Sequence, residues 1–146
     1  MPPEPVVPKI VRYRDYVGHA LHGEGTIRRA IYPDTVGSAR LFVGLAEFGP
    51  GTAPHVFHRH GTEVIRDRRL TYAPDFEEFY FVVDGSGVMQ WKLEDGRLLE
   101  EAVEAGDSIY MPPGVVEHRI FNTGSGLMRV LYGGAPPARV ESVPAR

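Results

Sequence analysis

The chain predicts an all-β sandwich or barrel, on three observations. Gly, Pro, Asp and Asn recur roughly every eight to twelve residues and separate runs rich in Val, Ile, Leu, Phe and Tyr, the spacing of short strands joined by turns. The i, i+3, i+4, i+7 apolar period of a buried helix face is not sustained anywhere, although 62–70 has room for a turn or two. Two dipeptides between such runs, Asp84-Gly85 and Asp95-Gly96, carry a tight-turn signal.

Taken in order, residues 1–9, with four prolines, read as a poorly packed tail. Strands are expected at 10–16, 26–32, 39–48 and 53–59. The insert 61–76 contains Asp67 between Arg66 and Arg68-Arg69, and reads either as a solvated loop or as a lid. Further strands are expected at 77–83, 87–94, 97–103, 108–111, 115–121 and 126–132, with Asp84-Gly85 and Asp95-Gly96 closing the first two hairpins and Pro112-Pro113-Gly114 turning a third. Residues 134–146, rich in Ala, Pro and Arg, read as a second tail, which leaves 10–133 as a single domain. Phe79-Tyr80-Phe81-Val82-Val83 is apolar on both faces rather than alternating, so it is expected to be covered inside by the barrel and outside by a second copy of the chain, in a homodimer.

Composition narrows the function. A net charge of −3 and a pI near 6.1 give no electrostatic reason to expect nucleic acid as a partner. The absence of cysteine removes disulfides, thiolate zinc sites, iron–sulfur clusters and cysteine nucleophiles together, so any metal must sit on nitrogen and oxygen. No apolar run is long enough for a membrane helix and Met1-Pro2-Pro3-Glu4-Pro5 is no signal peptide, so no membrane partner and a cytoplasmic location are expected.

Two stretches carry chemistry. His58 and His60 are two apart, so on an extended segment they point the same way and can grip one ion, while Arg59 faces elsewhere. The run Gly106 to His118 reads as a turn, a short strand, a Pro/Gly turn and a second strand that delivers a third imidazole. His55 has the phase of neither His58 nor His60, and His19 and His22 read as ordinary N-terminal residues.

These stretches resemble the paired motifs of the cupin superfamily, a small double-stranded β-helix barrel of the jelly-roll kind. Gly51, His58, His60, Glu78 and Gly85 match the first motif, and Gly106, Pro112, Gly114, His118 and Asn122 match the second. Seventeen residues separate His60 from Glu78, so the insert falls inside the first motif. The resemblance implies that His58, His60, His118 and a carboxylate hold a divalent metal. The carboxylate is Glu78 or Glu63; Glu78 is preferred because its spacing to the Gly85 turn sets its phase on the strand, while Glu77 has the opposite phase and points away.

Three imidazoles and a carboxylate suit Fe(II), Mn(II), Ni(II), Cu(II) or Zn(II). Four protein ligands leave one or two positions open, which favours catalysis on a small-molecule substrate over a closed structural site. The resemblance places an Fe(II)-dependent dioxygenase first. Next come an isomerase, lyase or decarboxylase using the ion as a Lewis acid, and a non-catalytic ligand-binding or sensor module. Tyr80 shares the side of Glu78 and is the candidate catalytic hydroxyl, with Val82 and Ile120 as cavity wall. Arg66, Arg68 and Arg69 are candidate clamps for a substrate carboxylate, and Tyr72 a candidate cover for the cavity. Asn122 is expected to bond the backbone of its own loop.

Overall fold

Short segments, most of them rich in β-branched and aromatic residues, form twelve strands in the computed structural model, which describes residues 2–19, 25–65 and 67–144. They are β1 (Val17–His19), β2 (Thr26–Ile31), β3 (Phe42–Phe48), β4 (Thr62–Ile65), β5 (Arg68–Thr71), β6 (Glu77–Asp84), β7 (Ser86–Lys92), β8 (Leu98–Glu104), β9 (Ser108–Met111), β10 (His118–Asn122), β11 (Met128–Ala135) and β12 (Arg139–Ser142). A 3-10 turn covers Tyr13–Asp15, and one helical turn, α1, covers Pro33–Val36.

The strands make three antiparallel sheets. Six strands form the largest, in the order β1-β2-β3-β11-β6-β9; a second runs β10-β7-β8, and a third runs β12-β5-β4. The core lies between the first two, where Phe48, Val82, Met111, Ile120, Met128 and Val130 are almost wholly buried. Each such side chain contributes about 1.5–3 kcal/mol by leaving water. Gly85 closes the β6–β7 turn at φ 91°, and an added Cβ would lie 3.0 Å from the Leu127 carbonyl oxygen, so both conformation and space require glycine there. At Asp95-Gly96 the turn is held by Leu93 N–H donating to the Arg97 carbonyl at 2.9 Å. Asn122, fully buried, donates to the carbonyls of Phe48 and Gly126 and accepts from Gly124 N–H, largely within its own loop as expected. Met89, Met111 and Met128 are core; Gln90 accepts a bond from Arg119, and Trp91 is half-buried.

Four sequence expectations are corrected. Residues 10–16 form no strand: the segment is pinned by a side chain, the Tyr13 hydroxyl donating to Glu47, and pairing starts only at Val17. Residues 53–59 form no ladder beyond a single bridge from His58 to His118, since Pro54 withholds a donor. The insert is not structureless: β4 and β5 pair as a hairpin from Thr62↔Thr71 to Ile65↔Arg68. The expected C-terminal tail continues β11 to Ala135 and then forms β12, which pairs with β5 from Arg139↔Thr71 to Ser142↔Arg68.

The outer face of the large sheet leaves Phe79, Phe81, Val83 and Tyr110 exposed, so the two-faced apolarity of β6 is real and its outer half is uncovered in the single chain. Among the described residues, no helix is long and apolar enough to cross a membrane.

Candidate metal centre

The site sits between the six-stranded sheet and the β10-β7-β8 sheet. Glu78 comes from β6, His118 opens β10, and His58 and His60 come from the connection after β3. The common direction of His58 and His60 arises from the single bridge to His118, in which His58 N–H donates to the His118 carbonyl at 3.2 Å and His118 N–H to the His58 carbonyl at 3.0 Å. Arg59, between them, turns outward to Glu94, which leaves the two imidazoles on the inner side.

One ligand atom from each of His58, His60, Glu78 and His118 lies within 4.8 Å of all the others. The ring centroids of His58 and His60 lie 4.6 and 4.8 Å from that of His118. The Nδ1 atoms of His58 and His118 face the carbonyls of Val56 and Val116 at 3.1 and 2.8 Å, which places the proton on Nδ1 and the lone pair on Nε2. Burial pushes the His118 imidazole down to about 4 and holds that of His58 well below its usual range, where the neighbouring His55 and His118 add to the effect. At neutral pH both are therefore neutral donors.

The donor set fits a cation. His118 Nε2, both nitrogens of His60 and Glu78 Oε1 are buried without a hydrogen-bond partner, and His60 Nε2 stands 3.3 Å from Glu78 Oε1 without the alignment of a hydrogen bond. An orphaned buried polar group costs about 1–3 kcal/mol, and one ion would satisfy three of these at once: His118 Nε2, one nitrogen of His60 and Glu78 Oε1. His60 is further fixed against the edge of Phe76 and by Tyr72, at centroid distances of 4.8 and 5.5 Å.

The cavity beside the cluster has a volume of about 750 Å³. Glu63 lines it from β4 but stands outside the four-residue group, while Glu77 points outward and accepts a bond from Tyr110, as its phase predicts. Glu63, in a segment read from the sequence as a loop or lid, is instead on β4, which aims it at the cavity. Tyr80 is buried in the cavity wall; burial and the Glu78 carboxylate hold its phenol protonated far above neutrality. Tyr72 lines the wall with its phenol likewise raised by burial.

The three arginines part company. Arg68 lines the cavity at its rim, Arg69 turns away to Glu141 at 3.7 Å, and Arg66 lies outside the described residues. Arg69 is therefore not brought to the cavity, because alternation along β5 sends it to the face opposite Arg68 and its cross-strand partner is acidic. His55 lines the cavity and its ring lies 4.7 Å from that of His58, yet it is not in the ligand group. Of the other two, His22 lies outside the described residues and His19 ends β1. Sequence reasoning missed Arg29, Tyr32, Phe42 and Tyr132, which also line the cavity. Tyr132 lies within the strand expected at 126–132, two residues from Val130 and on its face, whereas no local pattern marks Arg29.

The family model described as a cupin domain matches residues 74–133, a span that includes Glu78 and His118 and stops short of His58 and His60. No curated protein matches the chain. Among solved structures, a predicted oxalate decarboxylase from Thermotoga maritima aligns at TM-score 0.60 and 19% identity over 87% of this chain and 98% of its own. The polyketide cyclase RemF from Streptomyces resistomycificus aligns at 0.61 and 19% identity over 96% and 88%. A variant of oxalate decarboxylase from Bacillus subtilis aligns at 0.63 and 18% identity over 96% of this chain but 34% of its own, so the chain spans about a third of that protein. The chain has the jelly-roll fold of the structures it aligns with, and residues 74–133, which carry Glu78 and His118, match the cupin-domain model.

Proposed function

We propose that the protein is a metal-dependent enzyme acting on a small organic substrate, with His58, His60, Glu78 and His118 as its ligands. The observation that carries this reading is the convergence of three imidazoles and a carboxylate, with His58, His60 and Glu78 lining a cavity of about 750 Å³ and His118 buried beside them. That volume falls in the range of organic-ligand pockets, and its wall of Phe42, Tyr72, Ile120 and Val130 suits an apolar or ring-bearing body. When bound, a divalent ion with open positions supplies a place for a substrate oxygen or for dioxygen and polarises what it holds.

Fe(II)-dependent dioxygenation is the reaction placed first, because three imidazoles and a carboxylate suit iron and leave positions open. Lewis-acid chemistry, as in isomerisation, cyclisation or decarboxylation, is favoured by a different observation. Tyr72 and Tyr80 are held protonated beside Glu78, so both are hydrogen-bond donors where a carbonyl oxygen gathers charge. Tyr80 donates and does not accept a proton in either reading, because its burial resists the phenolate. Arg68 at the rim is placed to meet an anionic group as it enters.

The deciding experiment loads the metal-free protein anaerobically with Fe(II), Mn(II) or Zn(II) and screens ring-bearing acids and ketones with an oxygen electrode. Oxygen uptake matched to substrate loss supports dioxygenation, and turnover under strict anaerobiosis supports the Lewis-acid reaction. Absence of stoichiometric metal uptake overturns the whole reading.

A further inference from the structure

Beyond the metal cluster, one row of residues crosses the inner face of the large sheet. Backbone register sets Arg29 of β2 opposite Gly44 of β3, Gly44 opposite Tyr132 of β11, and Tyr132 opposite Tyr80 of β6. Gly44 is the gap in this row. A Cβ there would lie 2.2 Å from the Tyr132 hydroxyl, so the missing side chain is what lets the Tyr132 ring lie across β3 toward β2. There its hydroxyl meets that of Tyr32 at 2.8 Å.

Arg29 completes the group. One of its terminal nitrogens pairs with Asp34 and its guanidinium carbon lies 5.7 Å from the centroid of the Tyr32 ring, while Nε is buried without a partner. Arg29, Tyr32, Asp34 and Tyr132 all line the same cavity as Glu78, His58 and His60. Both phenols are held protonated by burial. One O–H satisfies the other oxygen, so the pair retains one donor hydrogen, and the Arg29 Nε–H supplies a second. These two donor hydrogens, one of them on a guanidinium whose charge is partly met by Asp34, suit an acceptor oxygen, as in a carboxylate or an enolised ketone.

From Glu78 on β6 to the Tyr132 hydroxyl over β3 is about two strand spacings, roughly 10 Å. Phe42 and Phe76 stack between the stations at 5.9 Å with their planes 2° apart, and Tyr72 packs on Phe76 at 4.4 Å. We propose that Arg29, Tyr32 and Tyr132 form a second substrate station, so that the cavity takes an elongated, flat ring compound with an oxygen function at each end: one for the metal centre, one for this station. The assignment deepens the proposed function and rests on it for the metal-bound end only.

The test uses the full chain and two rigid probes, 2-naphthoate and 2,6-naphthalenedicarboxylate, measured by calorimetry. In metal-free protein 2-naphthoate is expected to bind the station, and Tyr132→Phe and Arg29→Gln each weaken it about tenfold, the cost of one hydrogen bond to a charged group, while Arg69→Gln, which lies away from the cavity, leaves it unchanged. Gly44→Ala gives a similar loss by displacing Tyr132, and Tyr132→Phe keeps the ring and carries the test should Gly44→Ala fail to fold. In Zn(II)-loaded protein the dicarboxylate is expected to bind at least about tenfold tighter than the monocarboxylate, as one added charged contact allows, and His118→Ala removes that gain. No 2-naphthoate binding by the wild type, or binding indifferent to Tyr132→Phe and Arg29→Gln, overturns the station whatever the metal does. A protein that takes up no Zn(II) yet shows the Tyr132 and Arg29 dependence overturns the metal reading and leaves the station standing.

Discussion

At the scale of single residues, the ligand set and its neighbour His55 make the sharpest contrast. His58→Ala, His60→Ala and His118→Ala remove a nitrogen from the group within 4.8 Å and each should lower metal affinity by more than the roughly 10–100-fold that follows disturbance of an outer-shell partner. His55→Ala, outside that group, should retain stoichiometric metal by elemental analysis. Glu78→Gln should lose affinity and Glu63→Gln should not; the reverse result would mean that β4 rather than β6 supplies the carboxylate. On the outer face, burial pushes the Glu47 carboxyl up, but hydrogen bonds from Arg28 and Tyr13 outweigh it and hold the group below its ordinary value of 4.5. A depressed carboxyl stabilises the folded state fully above pH 4.5, and that contribution fades as pH falls through the lower folded value. Glu47→Gln should therefore cost about 1–2 kcal/mol at pH 7, after allowing for solvent screening of the partly exposed arginines, and progressively less in urea melts as pH falls below 4.5 and through the lower folded value.

At the scale of elements, the hairpin β4–β5 is the part whose role changed most between sequence and structure. Its inner side presents Glu63, Leu70 and, just beyond, Tyr72 to the cavity, and β12 braces its far edge, with Pro137, Ala138 and Val140 also reaching the cavity. It is a wall with a sheet of its own, not a bare loop. Replacing 62–71 by a Gly/Ser linker should preserve metal uptake, since no ligand lies within it, while weakening 2-naphthoate binding at least about tenfold through lost apolar contact. Truncation after Gly134 removes β12 and should produce a smaller loss in the same direction. Unchanged affinity in both variants would place the hairpin outside the binding path.

At the scale of the whole molecule, the exposed outer row is the feature a single copy leaves unexplained. Phe79 and Phe81 keep 40% and 37% of their surface and Tyr110 keeps 61%, all on one sheet face, which is a large apolar area for an isolated domain. A homodimer through this face is the expectation. Light scattering over a dilution series should give twice the chain mass, and Phe81→Asp should give the monomer with metal uptake intact, because its side chain lies on the face opposite Glu78 and Tyr80. A monomer at every concentration for the wild type would count against it.

Strand periodicity alone determined the facing of the chemistry. Glu78 inward and Glu77 outward follow from a period of two counted back from the Gly85 turn, and the phase of Tyr80 and Val82 follows with them. The three imidazoles were legible because their spacing to Gly and Pro turns is local. Local pattern could not supply partners. That the last strand returns to brace the insert, that Arg68 and Arg69 divide between cavity and solvent, and that an absent side chain at Gly44 opens a path for Tyr132 all depend on register between strands far apart in the chain. Periodicity encodes which face a residue takes, whereas the neighbour it meets there is decided by packing over the whole barrel. For this protein the metal cluster belongs to the first kind of information and the shape of its cavity to the second.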